Sequence, residues 1–196
     1  SLSHGFSLKS HLALASILVT LSFVAVLSQV AVRSAQLVGL GSEEAYFLQF
    51  GDTSKINLQG LLLGGIMLAA LGILDDISVA QVSLVFEFVH LKKDISFDEL
   101  YFRALKIGKD HVASLVNTLV LAYAAANLPL FILFTMNKQI PFWVTANSEI
   151  ILEEVIRTLV GSIGLVLAVP LTTLMTASVL KFGNLRVPEE KHAHRH

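Results

Sequence analysis

The chain has no cysteine. That absence excludes disulfides and thiolate metal sites, and it leaves the redox compartment open. Charge is scarce as well, with Asp, Glu, Lys and Arg making up 15% of 196 residues, where a soluble domain carries about a quarter. Fourteen basic and fifteen acidic residues leave a net charge of −1, so there is no basic surplus to attract nucleic acid. Chemical signatures are missing too. There is no phosphate-binding Gly loop ending in Lys-Ser, no His-Glu-x-x-His zinc helix, and no Gly-x-Gly-Asp of an intramembrane aspartyl protease. Adjacent Asp75 and Asp76 on one helix are not a protease dyad, which needs carboxylates meeting from separate elements. No nucleophile–base pair is visible, so neither an enzyme nor a bound cofactor or metal is expected. The apolar block after Lys9 is too long for a signal-peptide core and lacks a small-residue cleavage site after it.

What the chain has in abundance is apolar sequence. Hydrophobic residues make up 54%, gathered in blocks that reach the roughly 20 residues needed to cross a bilayer. The reading is all-α: an integral membrane bundle over residues 1–184, followed by a disordered tail over 185–196. Four spans are predicted, over about 11–32, 60–88, 112–134 and 155–180. The second apolar run continues to Leu91, so part of that helix must tilt or protrude. Pro170 is tolerated inside the fourth span, where Thr172 and Thr173 can help satisfy freed carbonyls. Ser96-Phe97-Asp98-Glu99 is a capping-box pattern. It opens an amphipathic segment over about 96–109, suited to lie at the membrane interface.

Four spans put both termini on one side. That side collects Lys9, Lys92, Lys93, Arg103, Lys106, Lys109, Lys181, Arg186, Lys191 and Arg195, against Arg33, Lys55, Lys138 and Arg157 opposite. The positive-inside rule then makes both termini cytoplasmic, with Glu43, Glu44, Asp52 and Glu149 facing outward. The histidines of the tail, His192, His194 and His196, read as part of a disordered segment rather than a metal site.

The polar residues inside the spans carry the functional reading. Steps of three and four along the second span join Gly65, Ala69, Gly72, Asp76, Ala80, Ser83, Glu87 and His90, all small or polar. Such a stripe would admit a neighbouring helix and keep acids off lipid. Asp75 begins an adjacent row with Ser78. Glu154, Arg157, Gly161, Gly164 and Ala168 share a face of the fourth span, with Arg157 one turn from Glu153 and Glu154. Asn117 and Thr118 follow Asp110 and Ser114 in the third. Facing seams are expected, with Gly65, Gly72, Gly161 and Gly164 as packing positions. Asp75, Asp76, Glu87, Asn117, Thr118 and Arg157 would form a proton or ion path, since a carboxylic acid in low dielectric loads and releases a proton near neutral pH. A second reading stays open: Asp75 and Asp76 at a membrane boundary, with polar seams that only hold helices together in a scaffold or assembly subunit.

Several segments resemble the YibE/F-like family of bacterial multi-pass membrane proteins. They are Gly72-Ile-Leu-Asp-Asp76, Asn117-Thr-Leu-Val-Leu-Ala-Tyr123, Asn127-Leu-Pro129, Asn147-Ser-Glu149, Glu154-Val-Ile-Arg157 and Gly161 through Pro170. Together they cover about residues 60–178. The resemblance implies a bacterial inner membrane, a longer parent with further spans upstream, and little about mechanism. A weaker similarity of pattern to the membrane halves of SecF and resistance-nodulation-division transporters implies proton coupling through intramembrane acids. Membrane lipid, upstream spans of the parent, a partner subunit or a homo-oligomer are the partners this reading allows, and nucleic acid is not among them.

Overall fold

The computed structural model describes residues 8–50, 56–136 and 141–182. The expected tail and the charges Asp52, Lys55 and Lys138 lie outside the described residues. The architecture is all-helical: α1 (Leu8–Ser34), α2 (Glu43–Phe50), α3 (Leu58–Leu91), α4 (Phe97–Ala126), α5 (Leu128–Met136), α6 (Phe142–Ala146) and α7 (Glu149–Phe182). Three of these, α1, α3 and α7, are long and apolar enough to cross a membrane. At about 1.5 Å per residue, the 34 residues of α3 reach some 51 Å, well beyond a roughly 30 Å hydrocarbon core.

α1, α3 and α7 pack mutually, and α4 lies against α7 and, over a shorter stretch, α3. At one end of the bundle the Phe97 ring of α4 packs at a tilt against that of Phe182 of α7, with centroids 5.5 Å apart. At the other end the Asn127 amide reaches Glu154 at 3.3 Å. α4 therefore runs the whole height of the bundle, between what we call the hairpin end (Leu91 to Phe97) and the clamp end (around Glu149).

Two differences from the sequence reading concern α4. The segment expected to lie at the interface, 96–109, and the first half of the expected third span form one continuous helix. Ser96 caps it, its hydroxyl accepting from the Glu99 N–H at 3.3 Å. The capping box is only half made, because the Glu99 carboxylate binds Lys92 at 2.8 Å and Arg103 at 2.8 Å instead. The helix then ends early, at Ala126. Asn127 turns its amide back on the Tyr123 carbonyl at 3.0 Å, and Pro129 sits in the first turn of α5, where a missing N–H does no harm.

The interior has two apolar layers. Toward the clamp end, Val24, Ile66, Leu74, Ile77, Val160 and Leu165 are buried together. Toward the hairpin end, Leu12, Val85, Phe86, Leu100, Ala104 and Leu180 do the same. Between them runs a polar belt. Gln81 donates to the Ala104 carbonyl at 3.0 Å and to Thr173 Oγ1 at 2.7 Å, joining α3, α4 and α7. The hydroxyls of Ser16, Thr20 and Ser28 each bond the carbonyl four residues back, at 2.8, 2.9 and 2.7 Å, which is how a membrane helix buries a hydroxyl. α7 stays helical through Pro170. Thr173 bonds the Val169 carbonyl at 2.7 Å, while the buried hydroxyls of Thr172, Thr176 and Ser78 have no hydrogen-bond partner among the described residues.

Gly108 makes the belt possible. A Cβ there would lie 2.5 Å from Val169 Cγ1 and 2.6 Å from Gln81 Oε1. We therefore expect Gly108→Ala to destabilise the detergent-solubilised chain by about 1–3 kcal/mol, the usual range for overpacking. Gly65→Ala, which points into open space, should be neutral or raise stability by up to about 1 kcal/mol through helix propensity. Chemical unfolding followed by circular dichroism distinguishes the two. A pH dependence is expected at the hairpin end as well. The Lys92 ammonium bonded to Glu99 holds that carboxyl below its ordinary range, against a smaller opposing effect of burial. Stability from this pair is full above the ordinary carboxylate range and is lost as pH falls through the lowered value. Lys92→Ala should flatten the acid limb of the unfolding profile.

Candidate functional site

The strongest polar construction lies at the clamp end. α7 begins with Glu149, whose Oε1 accepts the backbone N–H groups of Val38, Gly39 and Leu40 at 2.7, 2.7 and 3.2 Å. One turn on, Glu153 Oε1 accepts the Gly41 N–H at 2.9 Å. The loop after α1 can present these groups because Gly39 takes φ +88°, and a Cβ there would run into the Leu58 carbonyl. Gln59 adds a bond to the Leu37 carbonyl at 2.8 Å. The carboxylates thus tie the loop after α1 to the start of α7, and Gln59 ties the start of α3 to the same loop. Sequence reasoning read Glu149 only as an outward acid and Glu153 only as a partner for Arg157. The turn-forming glycines, Gly39 and Gly41, were the available signal.

Arg157 pairs with Glu154 at 2.6 Å, and both are about a quarter exposed. Glu154 also takes the Asn127 amide, so Asn127, Glu154 and Arg157 form one network joining α4 to α7. Of the two partners considered for Arg157, the structure selects Glu154, because Glu153 is taken by Gly41. Arg157 Nε is buried and makes no hydrogen bond.

The expected path residues do not converge in the interior. Asp75, Asp76 and Glu87 are exposed on the outside of α3, and Asn117 and Thr118 on the outside of α4. Thr118 bonds the Ser114 carbonyl of its own helix at 3.0 Å. The stripe from Gly65 to His90 does share one face, but that face points away from α1, α4 and α7. The physical reason lies in the opposite face of α3. Leu62, Ile66, Leu74, Ile77, Val82 and Val85 are the residues large enough to fill the space between three helices, and they are buried. Gly65 and Gly72 accordingly meet nothing within 4 Å. The expected glycine contacts hold only on α7, where Gly164 faces Val24 Cγ2 at 2.7 Å and Gly161 faces Leu119 Cδ2 at 3.6 Å from the position a Cβ would take.

What the structure places at the height of Asp75 and Asp76 is a second charged face. Gln81 and Ala104 are hydrogen-bonded across the antiparallel pair α3 and α4. Asp76 lies five positions toward the clamp end from Gln81, and Lys109 five positions toward the clamp end from Ala104, about 7.5 Å in each helix. Lys106, Lys109 and Asp110 are all exposed. None of Asp75, Asp76, Lys106 and Lys109 makes an ion pair with a described residue. A cavity of about 510 Å³ opens elsewhere, at the clamp end, among Val38, Leu40, Leu48, Ile56 and Asn57, and no path residue lines it. Among the described residues, no group of three or more His, Asp or Glu is arranged to hold a metal ion.

The YibE/F-like protein family matches over residues 1–182, which extends the resemblance through α1. No curated protein and no solved structure matches the chain.

The clamp generates a direct expectation. Glu149→Ala leaves three backbone N–H groups without their acceptor, and bonds to a charged group contribute about 1.5–3 kcal/mol each when lost. Amides 38–40 should exchange with deuterium at least tenfold faster in Glu149→Ala, with the amides around Gln81 unchanged.

Proposed function

The chain belongs to the YibE/F-like family, and from that premise we propose that it is a non-enzymatic membrane component of a proton-coupled transporter or permease in a bacterial inner membrane. One observation carries the reading. Two adjacent carboxylates, Asp75 and Asp76, sit halfway along a 34-residue apolar helix and are exposed without an ion-pair partner among the described residues. A charge at the bilayer centre costs at least about 2.5 kcal/mol, so such residues are kept where they face protein or a water-filled path. Because the interior of this bundle is filled by side chains, the path follows the outer α3–α4 face, with Asn117 and Thr118 farther along it. Arg157, paired with Glu154, stands at its clamp-end mouth.

Orientation follows from the charge distribution. Lys9, Lys92, Lys93 and Lys181 gather at the hairpin end, where Lys181 Nζ reaches the Lys93 carbonyl at 3.5 Å and Lys9 lies 5.4 Å from the Phe86 ring centroid. The excess of cations supports a cytoplasmic hairpin end, with both termini on that side.

The test uses the proton itself as probe. The purified chain is reconstituted in liposomes containing a pH-sensitive dye, and a potassium diffusion potential is applied. The reading expects proton entry above that of empty liposomes, reduced at least tenfold in Asp75→Asn/Asp76→Asn with an unchanged circular dichroism spectrum. Wild-type entry no faster than in empty liposomes, or equal entry in the folded double variant, sinks the proposal in favour of a scaffold role.

A further inference from the structure

α3 and α4 each turn charge away from the bundle. Asp76 on α3 and Lys109 on α4 are opposite in sign and lie at one height. We propose that a second copy of this chain docks on the α3–α4 face, so that Asp76 of each copy meets Lys109 of the other.

Height is the first argument. Two copies inserted in one membrane share a topology, so the axis relating them runs along the membrane normal and each residue meets residues at its own depth. An isologous contact then sets α3 of one copy against α4 of the other, and α4 against α3. Asp76 and Lys109 stand equally far from the Gln81–Ala104 bond that fixes the two helices in register, so they are matched in depth without adjustment. Charge is the second argument. Exposed Asp75 and Asp76 on α3 are set against exposed Lys106, Lys109 and Asp110 on α4, and none of these five is ion-paired with a described residue. Buried unpaired, Asp76 and Lys109 are each unfavourable in a membrane; facing one another, they neutralise. Shape is the third. Gly72 and Ala80 lie one turn on either side of Asp76, and a Cβ added at Gly72 meets nothing within 4 Å. A neighbouring backbone can come close there. By contrast, the outward face of α1 carries Leu14, Leu18, Phe23, Val26 and Val30 with no exposed Asp, Glu or Lys between them, which suits lipid.

The chain lacks cysteine, which makes the contact directly readable. Asp76→Cys and Lys109→Cys variants carrying different tags are co-expressed in one membrane and treated with a short bismaleimide. Products carrying both tags are expected at least tenfold above those from a Leu18→Cys pair on the lipid face of α1. In liposomes, subunit counting should find mostly dimers for the wild type. Asp76→Lys should lower the dimer fraction at least tenfold at equal density, and Asp76→Lys/Lys109→Asp should restore it. Recovery by the second charge reversal separates a lost contact from a lost fold. The proposal is overturned if the cysteine pair does not link, if Leu18→Cys links as well or better, if Asp76→Cys links only to a different protein, or if the dimer is indifferent to Asp76→Lys. These readouts need no proton movement, so the docking surface and the proton-coupled reading can fail separately.

Discussion

The arrangement of this bundle depends on one buried amide. Gln81 projects from α3 between two apolar layers and donates to α4 through the Ala104 carbonyl and to α7 through Thr173. Apolar side chains between membrane helices have little preference for one vertical register over another, because lipid and helix surfaces are equally apolar. A directional bond in that setting selects the register. Interhelical hydrogen bonds in membranes contribute only about 0.6–2 kcal/mol, so the role of Gln81 is less to hold the helices together than to decide their relative heights. Gly108 supports that decision, since only a residue without a Cβ lets α4 approach Val169 and the Gln81 amide as closely as it does. The clamp at Glu149 and Glu153 fixes one end of the bundle by carboxylate acceptors on backbone N–H groups rather than by packing. With the middle and that end defined, α1, α3 and α7 have little freedom to slide.

The extent to which this was legible in the sequence differs from element to element, for a physical reason. Length and hydropathy located α1, α3 and α7 within a few residues, because a bilayer imposes a minimum apolar run that loops do not satisfy. Ser96 announced the start of α4 through its capping position. Periodicity correctly grouped Gly65, Gly72, Asp76, Ser83 and Glu87 on one face of α3, but not the direction of that face. In water, the apolar face of a helix turns inward. In lipid both faces are compatible with their surroundings, and side-chain volume decides instead. Leu62, Ile66, Leu74 and Val85 win the interior because they fill it. The same ambiguity hid the continuity of α4. Charges from Arg103 to Asp110 suggested a helix lying in the interface, whereas they occupy the outward side of a helix that runs the height of the bundle.

Gln81 was passed over because a lone amide among apolar residues has no periodic partner to draw attention to it. Its signals, in hindsight, were a polar residue at a core position of α3 and a glycine inside α4, two features that explain each other only when the helices are brought together. Glu153 was read as a partner for Arg157 because the two lie one turn apart. The loop carrying Gly41 is more than a hundred residues away in sequence, and local spacing contains no information about such a contact.

The outward charge on α3 and α4 bears on what kind of unit the chain is. A bundle designed to stand alone in lipid would carry apolar residues around its whole girth, as α7 does with Val155, Leu159, Ile163, Val166 and Leu174. Here α3 and α4 depart from that pattern, with Asp76 and Lys109 at matched depth and of opposite sign. Snorkelling can relieve a lysine one or two turns from an interface, and local thinning can relieve an acid near a helix end. Neither explains why acids and bases should coincide in height on neighbouring helices, nor why small residues flank Asp76. A complementary surface requires all three features at once: opposed charge, common depth and close approach. The same register that Gln81 imposes inside the bundle is therefore what makes its outside self-complementary. A side chain that touches neither charged face sets the condition under which those faces can meet.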